Sequence, residues 1–128
     1  IYGDGAQGIF EQTVVYLTNG QFGTSRWTSP SSPVYNFIHS APTTGPYAGI
    51  ALINTSGTTV QFTGYSNATL DGTYYAPNSQ FAVHNNSRVT MTNAQIIARI
   101  TSVTGDAILE LSGGGSGGET TSTIDLLQ

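Results

Sequence analysis

The sequence predicts an all-β protein, specifically a parallel β-helix, or solenoid, with rungs of about 20 residues and an irregular N-terminal cap. Within the chain, apolar and polar residues alternate with a period of two, and no window sustains the apolar spacing of a helix. Four apolar residues also recur 21 positions later in the chain: Val60, Phe62, Ala68 and Leu70 are followed by Phe81, Val83, Val89 and Met91. A β-sandwich is the alternative architecture, because it also consists of short strands joined by turns.

Each copy of the repeat consists of two predicted strands separated by a polar turn. Stacking successive copies would bury their apolar face and place equivalent residues about 4.8 Å apart. The segment 93–99 is the best helical candidate, but it is short and lies inside the repeat, so we assign it to a strand. The predicted strands of the repeat region are 48–53, 58–63, 67–76, 80–84, 88–100, 100–103 and 107–111.

The ends of the chain are less regular than the repeat. Residues 10–18 and 34–39 are predicted strands that form the first rungs or the cap. We therefore predict a single β-solenoid domain over residues 1–111, a Gly/Ser/Thr-rich linker over 112–123, and a short apolar strand over 124–128. That last strand could fold back on its own solenoid or pair with the edge of a neighbouring subunit.

The composition excludes several classes of function. Only 8% of the residues are charged, the three cations are all arginine, and the formal net charge is −4. A nucleic acid or an anionic membrane surface needs a basic patch, so neither is an expected partner. The absence of cysteine excludes disulfides and thiolate metal sites. No apolar run of about 18 residues occurs, so we expect no membrane insertion of this segment.

Two glycine-rich segments match catalytic or nucleotide-binding patterns only literally. Residues 3–8 read as GxGxxG but lack the preceding strand and following helix of a dinucleotide site. Residues 114–118 read as GxSxG, but their flanks are glycine and polar linker rather than a strand and a helix. His39 and His84 are far apart in sequence and have no acidic partner pattern. We expect no enzyme, no catalytic residue, no cofactor and no metal site.

Two groups of residues at predicted turns and surfaces are candidate binding or modification sites. Three N-x-S/T sequons make Asn54, Asn67 and Asn85 possible glycan acceptors. Outward aromatic side chains can stack on sugars, which supports the alternative function of a carbohydrate-binding or adhesive module. The candidate ligand-contact aromatics are Trp27, Tyr65, Tyr74 and Tyr75, and one of the adjacent pair 74–75 must face outward.

Five segments of the sequence carry a resemblance to a known family: residues 14–18, 40–50, 66–77, 95–98 and 123–128. They resemble the C-terminal region of TadG-like proteins, bacterial envelope proteins linked to tight-adherence (Flp-type) pili. The resemblance covers nearly the whole chain. It implies an extracellular or cell-surface structural role and no enzymatic activity. The cysteines that such proteins often carry are absent, and Asn93-Ala94 stands where one would precede the 95–98 segment. Because the chain begins at Ile1 without a membrane helix, we expect it to be the exported part of a longer protein.

These observations predict a non-enzymatic structural protein of the cell surface, a subunit or accessory of a pilus, fibre or envelope assembly. The predicted mechanism is self-association through strand edges, and a nearly uncharged surface lets copies pack with little repulsion. The expected partners are copies of the same chain and other envelope or pilus proteins. The candidate joining residues are Phe10, Val14, Tyr16, Leu17, Ile124, Leu126 and Leu127.

Overall fold

The computed structural model describes residues 2–3, 7–26 and 35–113, and within these ranges the protein is all-β with no helix. Ten strands form one curled sheet, and every pair of neighbouring strands in it is parallel. The strands are β1 Tyr2–Gly3, β2 Gly8–Phe10, β3 Val15–Leu17, β4 Phe22–Arg26, β5 Tyr35–Ser40, β6 Ile50–Asn54, β7 Val60–Gly64, β8 Ser66–His84, β9 Arg88–Thr104 and β10 Ile108–Ser112.

The parallel pairs fall into three ladders, because the long strands β8 and β9 each take part in all three. Ladder A consists of β1, β4, β7, residues 80–84 and residues 100–104. Ladder B consists of β2, β5, residues 66–71, residues 88–92 and β10. Ladder C consists of β3, β6, residues 73–76 and residues 95–98. We number the strands of each ladder in chain order as levels one to five, and ladder C has four described levels.

The register of the ladders confirms the predicted repeat. Val60 pairs with Phe81 and Phe62 with Val83 in ladder A. In ladder B the corresponding pairs are Ala68 with Val89 and Leu70 with Met91. The residues that recur in the sequence are therefore direct neighbours in the sheet. Because all pairs among the described strands are parallel, their pairing is not the antiparallel one of a β-sandwich.

The core lies on the concave side of the curled sheet, where side chains at alternate positions point inward. Level by level, these side chains stack in rows, and the rows of the middle levels are fully buried. Aromatic rings dominate the interior and meet mostly edge to face, an arrangement that favours aromatic pairs beyond their buried area. The rings in mutual contact are Phe10, Phe22, Phe37, Phe62, Tyr74 and Phe81, together with the imidazole of His39.

One glycine is required by the close approach of two strands in ladder A. Gly23 has φ of +138°, and a Cβ atom at this position would lie 1.7 Å from the carbonyl oxygen of Gln61. Gly23 and Gln61 are direct partners in the ladder between β4 and β7. The pairing of levels two and three in ladder A therefore depends on the absence of a side chain at residue 23.

The predicted strand over residues 10–18 is wrong, because a turn divides it. β2 ends at Phe10 and β3 begins at Val15, and Gln12 between them has φ of 52°. The turn is anchored to level two, since the amide of Gln12 donates to Ser40 Oγ at 2.9 Å and the amide of Thr13 donates to the Ser40 carbonyl at 2.9 Å. The chain thus passes from ladder B to ladder C within these residues.

The described residues cover most of the predicted domain over residues 1–111. The strand prediction for 93–99 is confirmed, because β9 runs through it, and β10 extends to Ser112. Other predictions lie outside the described residues: Trp27, most of the 112–123 linker, and the 124–128 strand with Ile124, Leu126 and Leu127.

Candidate functional site

A buried hydrogen-bonded chain connects levels one, two and three inside the core. His39 and Tyr74 are both fully buried, and the His39 ring lies between the Tyr74 hydroxyl and the Thr13 carbonyl. Since the carbonyl can only accept, Nε2 of His39 donates to Thr13 at 2.9 Å. Burial disfavours the imidazolium, so Nδ1 carries no proton and accepts from the Tyr74 hydroxyl. The imidazole is therefore neutral, with both nitrogens satisfied.

The pKa values of this pair agree with a structural role. Burial lowers the pKa of His39 below 6.5, because the interior disfavours the imidazolium, although the hydrogen bond to Thr13 acts in the opposite direction. Burial also raises the pKa of Tyr74 well above 10.0. Both groups stay uncharged over the neutral range, and neither is accessible to a ligand.

A second buried polar cluster lies where ladder C ends. Asn54 Nδ2 donates to the Thr58 carbonyl at 3.0 Å and to Ser79 Oγ at 3.1 Å. Ser56 donates to Asn54 Oδ1 through its amide at 3.0 Å and through its hydroxyl at 2.6 Å. Ser79 Oγ in turn donates to the Ser56 carbonyl at 3.0 Å. These bonds satisfy the buried amide and fix the turn between β6 and β7.

This cluster corrects the prediction that Asn54 is an accessible glycan acceptor. Its side chain is fully buried, and its Nδ2 atom, which a glycan would occupy, is used by the hydrogen bonds inside the protein. The second acceptor, Asn67, is exposed on β8. The third, Asn85, is half-buried in the turn before β9, and its Nδ2 donates to Thr63 Oγ1 at 3.2 Å.

The predicted ligand-contact aromatics do not form one site. Tyr74 points into the core, so it is not a surface residue, whereas its neighbour Tyr75 faces outward. Tyr65 is half-buried at the bend between β7 and β8. Tyr75 therefore lies on the outer face of ladder C, whereas Tyr65 lies at the junction of ladders A and B.

The predicted joining residues of the N-terminal region lie on level one. Phe10 is half-buried in β2, Val14 is half-buried just before β3, and Leu17 is buried. Tyr16 is different, because its side chain points outward from ladder C. No described strand pairs with the outer edges of β2 or β3, so level one is a free edge of the described sheet.

The outer face of ladder C carries a continuous row of large apolar side chains, which we call the apolar row: Tyr16, Ile53, Tyr75 and Ile97. Each is the direct strand partner of the next, from level one to level four. Tyr16 is 61% exposed, Tyr75 41% and Ile97 36%, and Ile53 is half-buried. The sequence repeat of 21 positions would match Tyr75 with Ile96, and the pairing with Ile97 results from a register shift after Asp71.

A groove of about 520 Å³ runs beside the apolar row, where ladder B turns into ladder C. Thr73 and Gln95 lie on its floor, each two residues before a member of the row on the same strand. Asp71 and Asn93 line one side, and Asn93 Nδ2 donates to both carboxylate oxygens of Asp71 at 3.2 and 3.3 Å. The described residues that line it are Ala41, Pro42, Thr43, Ala48, Gly49, Ile50, Asp71, Thr73, Asn93 and Gln95.

The opposite wall of the groove is formed by the loop of residues 41–49. It is fixed to level three by two backbone hydrogen bonds, from Ala41 to the Asp71 carbonyl at 3.0 Å and from Thr73 to the Gly49 carbonyl at 2.8 Å. Gly72 allows this contact, because its φ is +109° and a Cβ there would lie 2.7 Å from the Ala41 Cβ. The groove is therefore held open by backbone geometry.

The described part of the chain contains no group of side chains that could hold a metal ion. No cluster of three or more histidine, aspartate or glutamate side chains occurs among these residues. No helix within them has the length and hydropathy of a membrane span. Comparison of the chain with protein-family models, with curated proteins and with solved structures finds no match.

Proposed function

We propose that this chain is a non-enzymatic structural protein of the cell surface, which assembles with copies of itself through the two ends of its stacked levels. The observation that carries the proposal is one inward row of ladder B, formed by Phe10, His39, Leu70, Met91 and Leu111. The three middle members are fully buried, whereas Phe10 and Leu111 at the two ends are only partly buried. The row is open at both ends of the described sheet.

The architecture we propose is a parallel β-helix in which each level completes one turn through ladders A, B and C. Strand partners lie 20 to 22 positions apart between levels three, four and five, as in Asn67–Arg88 and Gln80–Ile100. A nearly constant step among these three levels, together with parallel pairing in all three ladders, supports a solenoid. It would bury the apolar rows as consecutive levels cover one another.

The ends of such a solenoid are complementary to each other. Level five presents Val103, Leu109 and Leu111 only partly buried, and no described strand pairs with the outer edge of β10. Level one presents Phe10 and the free edges of β2 and β3. If the last level of one copy stacked on the first level of the next, the row from Phe10 to Leu111 would continue across the contact.

Contact between two different ends is heterologous, and it produces an open filament when the rotation does not close. The low charge of the chain favours this, because only 8% of residues are charged and the net charge is −4. The side chains of Arg88 and Glu110 also neutralise each other near level five, with Nη2 and Oε1 2.6 Å apart.

The place of this assembly follows from the resemblance to TadG-like pilus-assembly proteins. On that basis we place the chain at the cell surface or outside the cell, as a subunit or accessory of a pilus, fibre or envelope assembly. Its partners would be further copies of the chain and other envelope or pilus proteins. The segment with Ile124, Leu126 and Leu127 is the second candidate joining strand.

The proposal is tested by sedimentation velocity over a range of concentrations, followed by negative-stain microscopy of the full chain. We expect concentration-dependent growth into unbranched rods. Leu111→Lys should stop this growth while the β-type circular dichroism spectrum is retained, because the half-buried lysine can extend to solvent in the single chain but not in the contact.

The matched control is Thr69→Lys, which places the same charge on an exposed position in the middle of ladder B. This variant should still form rods. A chain that stays monomeric at every concentration would contradict the proposal. So would equal loss of growth in the two lysine variants, since the effect would then come from charge alone and not from the end of the stack.

A further inference from the structure

We propose that the apolar row and the groove beside it form a binding site for a linear, uncharged polysaccharide with extended β-linked sugar rings. This inference does not rest on the proposed assembly, because the site uses outward side chains of ladder C, whereas the proposed contact uses free strand edges and inward rows. Tyr16 lies on level one, but its side chain faces outward. Its first element is the pair Tyr16 and Tyr75, whose side chains both face outward. Tyrosine rings present flat apolar surfaces on which the C–H faces of sugar rings can stack.

The spacing of the two tyrosines suits an extended sugar chain. Tyr16 and Tyr75 are separated by one intervening partner, Ile53, so their backbones are two strand spacings apart, about 9.6 Å. Alternate rings of an extended β-1,4-linked chain recur at nearly this interval. A sugar chain lying across the strands of ladder C could therefore stack one ring on Tyr16 and the next but one on Tyr75, with Ile53 and Ile97 under the adjoining rings.

The groove supplies the polar half of the site. Thr73 lies two residues before Tyr75, and Gln95 lies two residues before Ile97, so hydroxyl and amide groups run parallel to the apolar row. Thr73 Oγ1 donates to Gln95 Oε1 at 3.4 Å, which is a long contact, so the amide and hydroxyl retain capacity for further hydrogen bonds. Stacking surfaces alongside side-chain amides, hydroxyls and a carboxylate match the alternating apolar and polar edges of a sugar.

The charge of the groove distinguishes between classes of polysaccharide. Among the described residues of its lining, Asp71 is the only ionisable one, and its oxygens accept from Thr92 Oγ1 and Asn93 Nδ2. An acidic polysaccharide would meet this carboxylate without a compensating cation among the described lining residues. A neutral chain can donate its hydroxyl hydrogens to the carboxylate without charge repulsion.

The area of the apolar row argues against a second copy of the chain as its occupant. A stable interface buries about 800 Å² on each partner, and one fully buried aromatic side chain contributes about 150–250 Å². Two tyrosines and two isoleucines that are already partly covered fall well short of that area. They are sufficient for several sugar rings.

The test is binding of the full chain to insoluble cellulose and chitin in a pull-down, and to soluble cellohexaose by calorimetry, with polygalacturonate as the anionic comparison. We expect binding to at least one neutral β-1,4-linked polymer and none to polygalacturonate. Tyr75→Ala should weaken binding about tenfold, and a combined Tyr16→Ala, Tyr75→Ala variant by more. Gln95→Ala should weaken binding to a smaller extent.

The matched control is Tyr65→Ala, which removes a tyrosine from the junction of ladders A and B and should leave binding unchanged. Leu111→Lys should also leave it unchanged, so failure of the assembly proposal and failure of this one are distinguishable. The inference is overturned if no neutral polymer binds, if only polygalacturonate binds, or if Tyr75→Ala and Tyr65→Ala have equal effects. It is also overturned if Tyr75→Ala instead abolishes dimerisation of the chain.

Discussion

The middle and the ends of the described sheet differ more than any other two regions of the molecule. Leu70 and Met91 on levels three and four are fully buried, whereas Phe10 and Leu111 in the same inward row are only partly buried. Their chemistry is nearly the same, so the difference comes from the number of neighbouring levels. A residue with a level on both sides loses its solvent contact, and a residue at the end keeps part of it.

This difference predicts that the middle levels contribute mainly to folding stability and the end levels mainly to assembly. In the middle levels the apolar side chains have already made their contribution to folding, at about 25 cal/mol for each Å² removed from water. At the ends, part of the same contribution is still available to another strand. Substitutions in the middle should therefore reduce the free energy of unfolding, and substitutions at the ends should chiefly change association.

The largest expected effect concerns the backbone contact between levels two and three. Gly23→Ala should reduce the free energy of unfolding by about 3 kcal/mol or more, because its φ is +138° and the added Cβ would lie 1.7 Å from the Gln61 carbonyl oxygen. Urea titration followed by circular dichroism measures this.

The control for this substitution is Gly20→Ala. Gly20 also has a positive φ, +93°, but nothing lies within 4 Å of the added Cβ. This variant should lose only the cost of the backbone conformation, about 1–2 kcal/mol. Equal losses in the two variants would mean that the contact between Gly23 and Gln61 is not a constraint on the pairing of the levels.

The next effect compares the middle and the end of one row directly. Leu70→Ala should cost about 2–5 kcal/mol, because it opens a cavity in a fully buried position. Leu111→Ala should cost about 1 kcal/mol or less in the monomer, since its side chain is only partly buried. Thermal unfolding at low protein concentration measures both. Similar losses would show that level five is covered in solution and would remove the basis for end-to-end assembly.

The part of the fold that repeats could be predicted from the sequence. The recurrence of Val60, Phe62, Ala68 and Leu70 gives the register directly, because equivalent residues of stacked copies must be strand partners. The turn at Gln12 could not be predicted, since residues 10–18 are apolar enough for a strand and the interruption depends on contacts with Ser40 on another level.

The buried polar residues were not predicted from the sequence. Alternation places His39 on the same side as Phe37, and Asn54 on the same side as Leu52, so both side chains could have been assigned to the core. Their partners could not, because Tyr74 and Ser79 come from the next level and depend on the register. The groove was also missed, since its wall, the loop 41–49, has no counterpart in the other copies.

The third comparison is between the loss of the hydroxyl group at the buried Tyr74 and at its exposed neighbour Tyr75. Tyr74→Phe should cost about 1–3 kcal/mol, because it leaves Nδ1 of the buried His39 without a donor. Tyr75→Phe should change the free energy of unfolding by no more than about 0.5 kcal/mol, since its side chain faces solvent. Urea titration of both variants measures the difference.

The buried Tyr74 also predicts how the stability of the protein responds to alkaline pH. Because the pKa of Tyr74 is well above 10.0 in the folded chain, the unfolded chain loses this proton first. The contribution of the protonated Tyr74 to the free energy of unfolding is therefore present below about pH 10 and is lost as the pH rises further. Tyr74→Phe should therefore unfold with a weaker dependence on pH above 10 than the unmodified chain. An unchanged dependence would contradict the burial of the Tyr74 hydroxyl.

The smallest expected effect comes from His39 at acidic pH. Its pKa is lowered in the folded chain, so below pH 6.5 the unfolded chain binds a proton that the folded chain does not. The stabilisation is thus complete above pH 6.5 and declines as the pH falls, by at most about 1.4 kcal/mol per pH unit for one proton. The melting temperature between pH 7.5 and 5 measures this decline.

The control for this prediction is His84, which is half-buried at the end of β8. The melting temperature of His84→Gln should fall with pH as it does for the unmodified chain. A melting temperature that stays constant between pH 7.5 and 5 would contradict the prediction, because it would mean that His39 contacts solvent and is not part of the buried row.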